Sequence, residues 1–321
     1  MNMPWLEPVR TRLHQQYLDG RLGHAPLLLG TPGIGKRALA EWLARRILCT
    51  GSDGIDACGR CRACALASSA THPDWQQLAV DEGHAEILVD QIRDFQNSLY
   101  LTPAIADRRV GSIIPVDRLN RNAANALLKT LEEPPPQVWI VMVCDQPDRV
   151  PATLLSRCQQ IAVPVPDRDL ALQWLAERVP DSGAARLGQA LSLADGAPLT
   201  ALEWLSTGEI ETALQIGAAL GALLERDGSR IEVIAAAFES LSPAQVWAWL
   251  ARWTSLWMKA ASGLPNVLPD GLRRPSGPQA TRLLARAWQD ALDAQRLADR
   301  KIRHDWLLRA WLAHWERLAS C

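Results

Sequence analysis

The chain has 321 residues, which is long for one domain and suggests two or three. Hydrophobic residues make up 48% and charged residues 21%, so packed cores are expected and wholesale disorder is excluded. The net charge of −1, from 34 basic and 35 acidic residues, argues against a strongly basic nucleic-acid binder and leaves room for a local basic patch.

Lysine is scarce: Lys36, Lys129, Lys259 and Lys301 stand against 30 arginines. Tryptophan numbers 14, with two each of Phe and Tyr. That skew reads as codon usage with no chemistry attached. The stretch Met1 to Gly20 carries Glu7 and Asp19 and lacks an apolar h-region, so no signal peptide is expected. No run of about 18 apolar residues occurs, so no transmembrane helix is expected. A cytoplasmic setting follows as an expectation, and there cysteines are more often reduced, metal-binding or catalytic than disulfide-bonded.

In chain order, Ala25-Pro26-Leu27-Leu28-Leu29 is a short apolar strand that runs into a glycine loop. A helix is predicted from Lys36 to Leu48. Arg109 to Val116 is a second buried strand. Asn120 to Glu133 is helical, with Ala124, Leu127, Leu128 and Leu131 at i, i+3, i+4 and i+7, and Pro134 to Pro136 stop it. Val138 to Val143 is the third strand. This alternation predicts a mostly parallel α/β sheet. Val163-Pro164-Val165-Pro166-Asp167 is a linker, and the remainder reads helical. There Ser242 is an N-cap, Pro243 takes the first helical position and Gly263 is the stop. Val246, Leu250, Trp253 and Trp257 form an apolar stripe between them, read as core or subunit contact. Pro265 to Pro278 is a Pro/Gly-rich loop. A break near Gly208 divides the helical half into a small and a larger bundle.

Four of the seven cysteines fall within 16 residues. Cys49, Cys58, Cys61 and Cys64 make C-x8-C-x2-C-x2-C, with Gly59 easing the turn. Four thiolates suit structural Zn²⁺ with no position left for a substrate water. An iron–sulfur cluster takes the same ligands, and unrelated buried thiols are the bland alternative. Cys144, Cys158 and Cys321 read as buried or incidental.

Gly30-Thr31-Pro32-Gly33-Ile34-Gly35-Lys36 matches the phosphate-loop pattern G-x-x-x-x-G-K between a strand and a helix. In such a loop Gly30, Gly33 and Gly35 let backbone N–H groups curl round phosphate oxygens, and Lys36 reaches the β/γ phosphates. The hydroxyl that should ligate Mg²⁺ is replaced by Arg37, which cannot ligate a metal and would repel one. A hydrolysing site also needs an acidic pair at a nearby strand end. Here that strand runs into Ile114-Pro115, and the nearest acid, Asp117, comes too late.

These residues resemble the bacterial clamp-loader branch of the AAA+ family. So do Thr71-His72-Pro73-Asp74, the block Asn125-Ala126-Leu127-Leu128-Lys129-Thr130-Leu131-Glu132-Glu133-Pro134-Pro135, and Leu155-Ser156-Arg157-Cys158. The clear motifs cover about residues 25 to 160, and weaker signals such as Arg303 to Leu312 follow. The resemblance implies an AAA+ α/β domain at 1–165 with a zinc module at 49–64, a helical lid at 166–208 and a helical collar at 209–321. It implies that Arg157 acts in trans as an arginine finger on a neighbouring subunit's ATP site; the plain alternative is an ion pair with a local carboxylate. It also sharpens the losses. The family's acidic pair falls on Ile114 and Pro115, its polar sensor around Cys144 and Asp145, and its second sensor arginine on Leu199. Lys36 is then either a weak nucleotide contact or a relic on a solvated loop.

The function implied is a non-hydrolysing clamp-loader subunit of the replicative DNA polymerase holoenzyme, a nucleotidyltransferase assembly. Its partners would be the ATPase subunits and the clamp-opening subunit of a hetero-oligomeric ring. The sliding clamp and primed DNA would be met mainly through that complex, with no membrane. Its cofactor would be structural zinc, with ATP binding in doubt. The rival readings are an active AAA+ ATPase subunit and a zinc-dependent DNA-binding module.

Overall fold

The computed structural model describes residues 3–51, 54–81, 84–105, 107–225, 235, 238, 241–264, 267–269, 272–298, 300 and 302–320. Cys321, Lys301 and Pro265, named above, lie outside them. The chain divides into two units, Met1–Leu170 and Ala171–Cys321.

Strand β1 (Pro26–Leu29) is apolar throughout because it is covered on both faces, and Leu27 and Leu28 are fully buried. It pairs in parallel with β4 (Val138–Cys144) on one side and β5 (Gln159–Ala162) on the other. Leu27 lies opposite Met142 and Gln160. Beyond β4 come β3 (Arg109–Ile113) and β2 (Trp75–Leu78), also parallel, for a sheet order β2-β3-β4-β1-β5. The predicted parallel sheet is therefore present, with two more strands than expected. β2 and β5 escaped prediction because they are four residues long and carry glutamines where the other strands carry aliphatics. β3 stops at Ile113, earlier than predicted, because the chain turns at Ile114–Pro115, where proline has no N–H for the ladder.

Helix α1 (Glu7–Leu18) precedes the sheet, and α2 (Lys36–Leu48) packs on β1, β3 and β4. α3 (Arg62–Ser68) follows the cysteine-rich loop. α4 (Val89–Leu99) and α5 (Arg121–Glu132) cover the other face with α6 (Ala152–Leu155). Phe95, Leu99, Leu127 and Leu131 bury there against Leu27, Ile113, Ile140 and Met142. Asn120 is the N-cap of α5, its Oδ1 accepting from the Ala123 N–H at 2.8 Å. At Gly111 on β3 a Cβ would sit 2.4 Å from Phe95, so the close approach of α4 requires glycine.

The Thr71–Asp74 segment holds the entry to this sheet. Asp74 is fully buried, and its carboxylate accepts from the Ala104 and Ile105 N–H groups at 2.7 and 2.8 Å. It also pairs with Arg109, itself buried, at 3.2 Å. His72 Nδ1 accepts from the Asp74 N–H at 3.1 Å, and burial lowers the His72 pKa. This motif therefore ties three chain segments together at the start of β2 and β3.

The helix α7 (Arg168–Ala176) spans the boundary between the units. The second unit is helical, as predicted. It contains α8 (Ala184–Leu193), α9 (Pro198–Thr207), α10 (Glu209–Glu225), α11 (Pro243–Ala261), α12 (Pro278–Arg296) and α13 (His304–Glu316). Gly208 caps α9 in the left-handed region (φ 81°), which places a helix break at the predicted position. Ser242 caps α11 with a reciprocal Gln245 contact, and Pro243 opens the helix. The tryptophan stripe is core. Trp253, Trp257 and Trp315 are fully buried and in ring contact at 5.3 and 5.1 Å. Their indole N–H groups donate to the carbonyls of Ala213, Arg273 and Leu220 at 2.8–3.0 Å, so the polar edge of each ring is satisfied.

Two stability measurements test this packing. Gly217 on α10 would place a Cβ 2.1 Å from the Trp253 ring. Gly217→Ala should therefore destabilise the chain by about 1–3 kcal/mol in a denaturant titration, where an exposed helical Gly→Ala would stabilise it. Asp74→Ala strands the buried Arg109 charge and two N–H groups, and should cost about 3–5 kcal/mol by the same measurement.

Candidate functional site

The glycine loop has the predicted place, between the end of β1 and the start of α2. Gly33 and Gly35 take left-handed φ values of 78° and 97°, and Gly35 is the N-cap of α2. At Gly30 a Cβ would lie 2.6 Å from the Val163 carbonyl oxygen, so only glycine fits. On its outer side the loop is packed by the N-terminal segment. Trp5 Nε1 donates to the Ile34 carbonyl at 2.8 Å, and a Cβ at Gly35 would touch Met3.

Lys36 overturns one expectation. It is 3% exposed, so it is no relic on a solvated loop. Its ammonium donates to the carbonyls of Gly30 and Thr31 at 2.6 and 2.7 Å and pairs with Asp145 at 2.6 Å. An ammonium has three donors, and all three are taken within the loop and by β4's end. A phosphate would have to displace Asp145. Arg37, in the metal-ligand position, is exposed.

The neighbouring strand ends carry the other predicted losses. Ile114 and Pro115 occupy the turn after β3 and bring no carboxylate. Asp117 is buried, and its Oδ1 accepts from the Asp145 N–H at 2.8 Å. The nearest acid thus holds the backbone that carries Asp145, which in turn holds Lys36. Cys144 is fully buried, and burial, aided by Asp117, pushes its thiol up to about 12. Leu199 lies half-buried in the first turn of α9 and supplies no cation. The Lys36–Asp145 pair escaped the sequence reading. Its one signal was an acid placed directly after the most apolar strand.

The four cysteines converge as predicted, with all four sulfurs within 4.8 Å of one another. Cys49 ends α2, Cys61 is the N-cap of α3, and Cys64 lies in its first turn. Tetrahedral Zn–S bonds of about 2.3 Å put sulfurs about 3.8 Å apart, and Cys58 and Cys64 stand at 3.9 Å. Backbone N–H groups of Cys58, Cys61 and Cys64 donate to the sulfurs of Cys49, Cys58 and Cys61 at 3.3–3.4 Å. Burial raises the Cys61 thiol, but N–H donation from Cys64 and Thr50 outweighs it and brings it down to about 6. Burial and Cys61 push Cys64 up to about 12. Backbone N–H donation, first from Arg60, lowers the Cys58 thiol as well. Two sulfurs eased toward thiolate with two more gathered round them are a donor set for one soft metal ion. A multi-iron cluster would hold these sulfurs farther apart than a single ion does. Asp56, unremarked in the sequence, clasps the module to the helices by accepting from Trp42 Nε1 at 3.1 Å and pairing with Arg10.

Arg157 follows α6 and precedes β5. Its Nε donates to Glu132 at 2.7 Å and one Nη to the Thr153 carbonyl at 2.7 Å. Its side chain is 34% exposed and that of Glu132 49%. The local carboxylate partner is thus present, at the end of α5, and the guanidinium still faces solvent. Exposed pairs of this kind are worth about 0–1 kcal/mol, so Arg157 can leave Glu132 at little cost. Cys158 donates to the Leu154 carbonyl, and burial pushes it up to about 12.

Residues 6–167 match the family described as DNA polymerase III, delta subunit. The DNA polymerase III subunit delta′ of Pseudomonas aeruginosa is 38% identical over 246 residues, covering 75% of each chain. That of Escherichia coli is 39% identical over 199 residues, covering 62% of this chain and 59% of its own. A solved gamma subunit-related protein of Thermotoga maritima overlaps 98% of this chain and 99% of its own at 15% identity. Its TM-score of 0.48 is too loose to add to the fold. No described helix is long and apolar enough to cross a membrane. By its sequence, this chain belongs to the family of DNA polymerase III delta′ subunits.

Proposed function

We infer that this chain is a non-hydrolysing clamp-loader subunit, built on an AAA+ plan. Its domains are an α/β domain at 1–165, a lid at 166–208 and a collar at 209–321 that assembles the ring. It sits beside an ATPase subunit in the cytoplasm. It supports loading of the sliding clamp onto primed DNA for the DNA polymerase III holoenzyme, and it meets the clamp-opening subunit in the same ring.

One observation carries the reading: the phosphate-loop lysine is spent on its own loop and on Asp145. With Arg37 in the metal-ligand position and no acid at Ile114 or Pro115, the loop lacks the groups that hold Mg²⁺ and orient water. Arg157, by contrast, is weakly held and faces outward. It stays charged and presents a planar fork suited to phosphate oxygens. Its role is to reach a neighbour's ATP and stabilise charge that develops on the transferred phosphoryl group.

The four cysteines fit zinc in number, spacing and softness, and Cys49, Cys58, Cys61 and Cys64 would hold it. Its contribution there is structural, fixing the loop between α2 and α3, because four thiolates leave no open coordination position.

Two measurements test the reading. In the reconstituted complex, Arg157→Ala should lower ATP turnover at the neighbouring site, where such residues are worth on the order of 10³- to 10⁵-fold, with assembly intact by gel filtration. Lys36→Ala should leave that turnover unchanged. Undiminished hydrolysis in the first variant removes the finger, and hydrolysis by the isolated chain that Lys36→Ala abolishes makes it an active ATPase. Elemental analysis of protein purified without added metal should find about one zinc per chain. Iron, or no metal, defeats the zinc assignment.

A further inference from the structure

The far end of α2 carries a second cleft, unconnected with the phosphate loop. It lies roughly 18 Å along the helix from Lys36, counting 12 residues at 1.5 Å each. Its volume is about 470 Å³, and its walls include Tyr17, Arg46, Thr50, Arg108, Gln137 and Trp139. Among the described residues that line it none is a carboxylate, and Cys49, one of the four clustered thiols, is part of the wall.

Arg46 is the unusual group. It is 2% exposed, and its Nε is buried with no hydrogen-bond acceptor. Among the described residues it has no ion-pair partner. A buried, unpaired charge is strongly disfavoured unless something compensates it. Its guanidinium lies over the Tyr17 ring at 5.3 Å, which compensates only in part. Arg108 approaches the same ring at 5.9 Å and donates to the Tyr17 hydroxyl and, at 3.3 Å, to the Ile47 carbonyl. Its ion-pair partner Asp107 is 76% exposed and screened by solvent. Trp139 meets Tyr17 edge-on at 5.9 Å and extends the aromatic wall. Gln137, exposed and at φ 60°, adds an amide to the lining, while the Thr50 hydroxyl is engaged by the Cys61 sulfur.

Two guanidiniums, one of them paired only with the exposed Asp107, and an aromatic wall with no described carboxylate in the lining form an electropositive pocket. Guanidinium forks match tetrahedral oxyanions with paired N–H donors. The volume exceeds that of a bare anion, so room remains for an organic group against Tyr17 and Trp139. We propose that this cleft binds a phosphate ester, its oxygens taken by Arg46 and Arg108 and its organic group by the aromatic wall. The same chemistry is offered by a small phosphorylated molecule and by a nucleic-acid backbone phosphate. One competing explanation is local. Cys49 follows Arg46 by three residues and lines the same cleft, and a metal-bound tetrathiolate is anionic, so on this rival reading Arg46 serves as its counter-charge alone.

The test follows the arginine Nε–Hε resonances of the full chain, ¹⁵N-labelled at arginine, at constant ionic strength. The probes are inorganic phosphate, thymidine monophosphate and a short single-stranded thymidine oligonucleotide. The Arg46 resonance should shift saturably with phosphate and stay still with chloride. An oligonucleotide more than about tenfold tighter than the monophosphate assigns a backbone source; equal or weaker binding assigns a small phosphoester. Arg108→Gln, remote from the cysteines in sequence, should weaken binding about tenfold while metal content is unchanged. Absence of a saturable shift with all three probes overturns the proposal, and so does unaltered affinity in Arg108→Gln. Release of metal by Arg46→Gln, in a chain that binds none of the probes, overturns it in favour of the counter-charge.

Discussion

A lysine ammonium in a dry pocket needs three acceptors, and in this chain the phosphate loop supplies them from within. Gly30 and Thr31 give carbonyls and Asp145 gives a carboxylate. The arrangement works because β1 and β4 are adjacent and parallel, so the end of one strand delivers the loop and the end of the other delivers Asp145. Asp117, from the turn after β3, fixes the Asp145 backbone. Three successive strand ends thus cooperate to close the loop. A salt bridge this sheltered is held by the geometry around it and not by strong net attraction, since desolvation offsets much of the Coulomb gain.

From that closed loop the helix α2 runs to the cysteine cluster, which begins at its last turn. One rigid element therefore joins three chemically distinct places: the loop at its N-terminus, the four sulfurs at its C-terminus and the Arg46 cleft beside them. The Asp56 clasp to Arg10 and Trp42 binds the sulfur-bearing module back onto α1 and α2. The chemistry that faces outward is elsewhere. Arg157 rests on Glu132 in a half-exposed pair, the kind of contact that a stronger anion displaces readily. The contrast between a locked Lys36 and a loosely held Arg157 is what favours a subunit that assists a neighbour over one that turns over nucleotide itself.

The sequence was legible where the periodic signal was long or the chemistry local. α5 and α11 could be placed within a residue, because their apolar stripes are regular and Asn120 and Ser242 announce their starts. The cysteine cluster was legible because its spacing alone confines the sulfurs. β2 and β5 were not, since four residues with glutamines hold no period of their own and become strands only by pairing with β3 and β1. The Thr71–Asp74 segment could be matched as a motif, but its work could not be read. Its partners Ala104, Ile105 and Arg109 come 30 or more residues later.

By itself the sequence determined the α/β alternation, the helical remainder, the convergence of four thiols and the missing metal ligand at Arg37. Each depends on residue type at short range, through backbone propensity, side-chain period or ligand chemistry. The tertiary structure alone decided what became of the groups that remained. Whether Lys36 is solvated or locked depends on Asp145, 109 positions away, and how Arg157 is held depends on Glu132, 25 positions earlier at the end of α5. Arg46 reads in sequence as one more arginine of the last helical turn. Only the packing of Tyr17, Arg108 and Trp139 around it, from three other segments, leaves it buried with no carboxylate partner among the described residues.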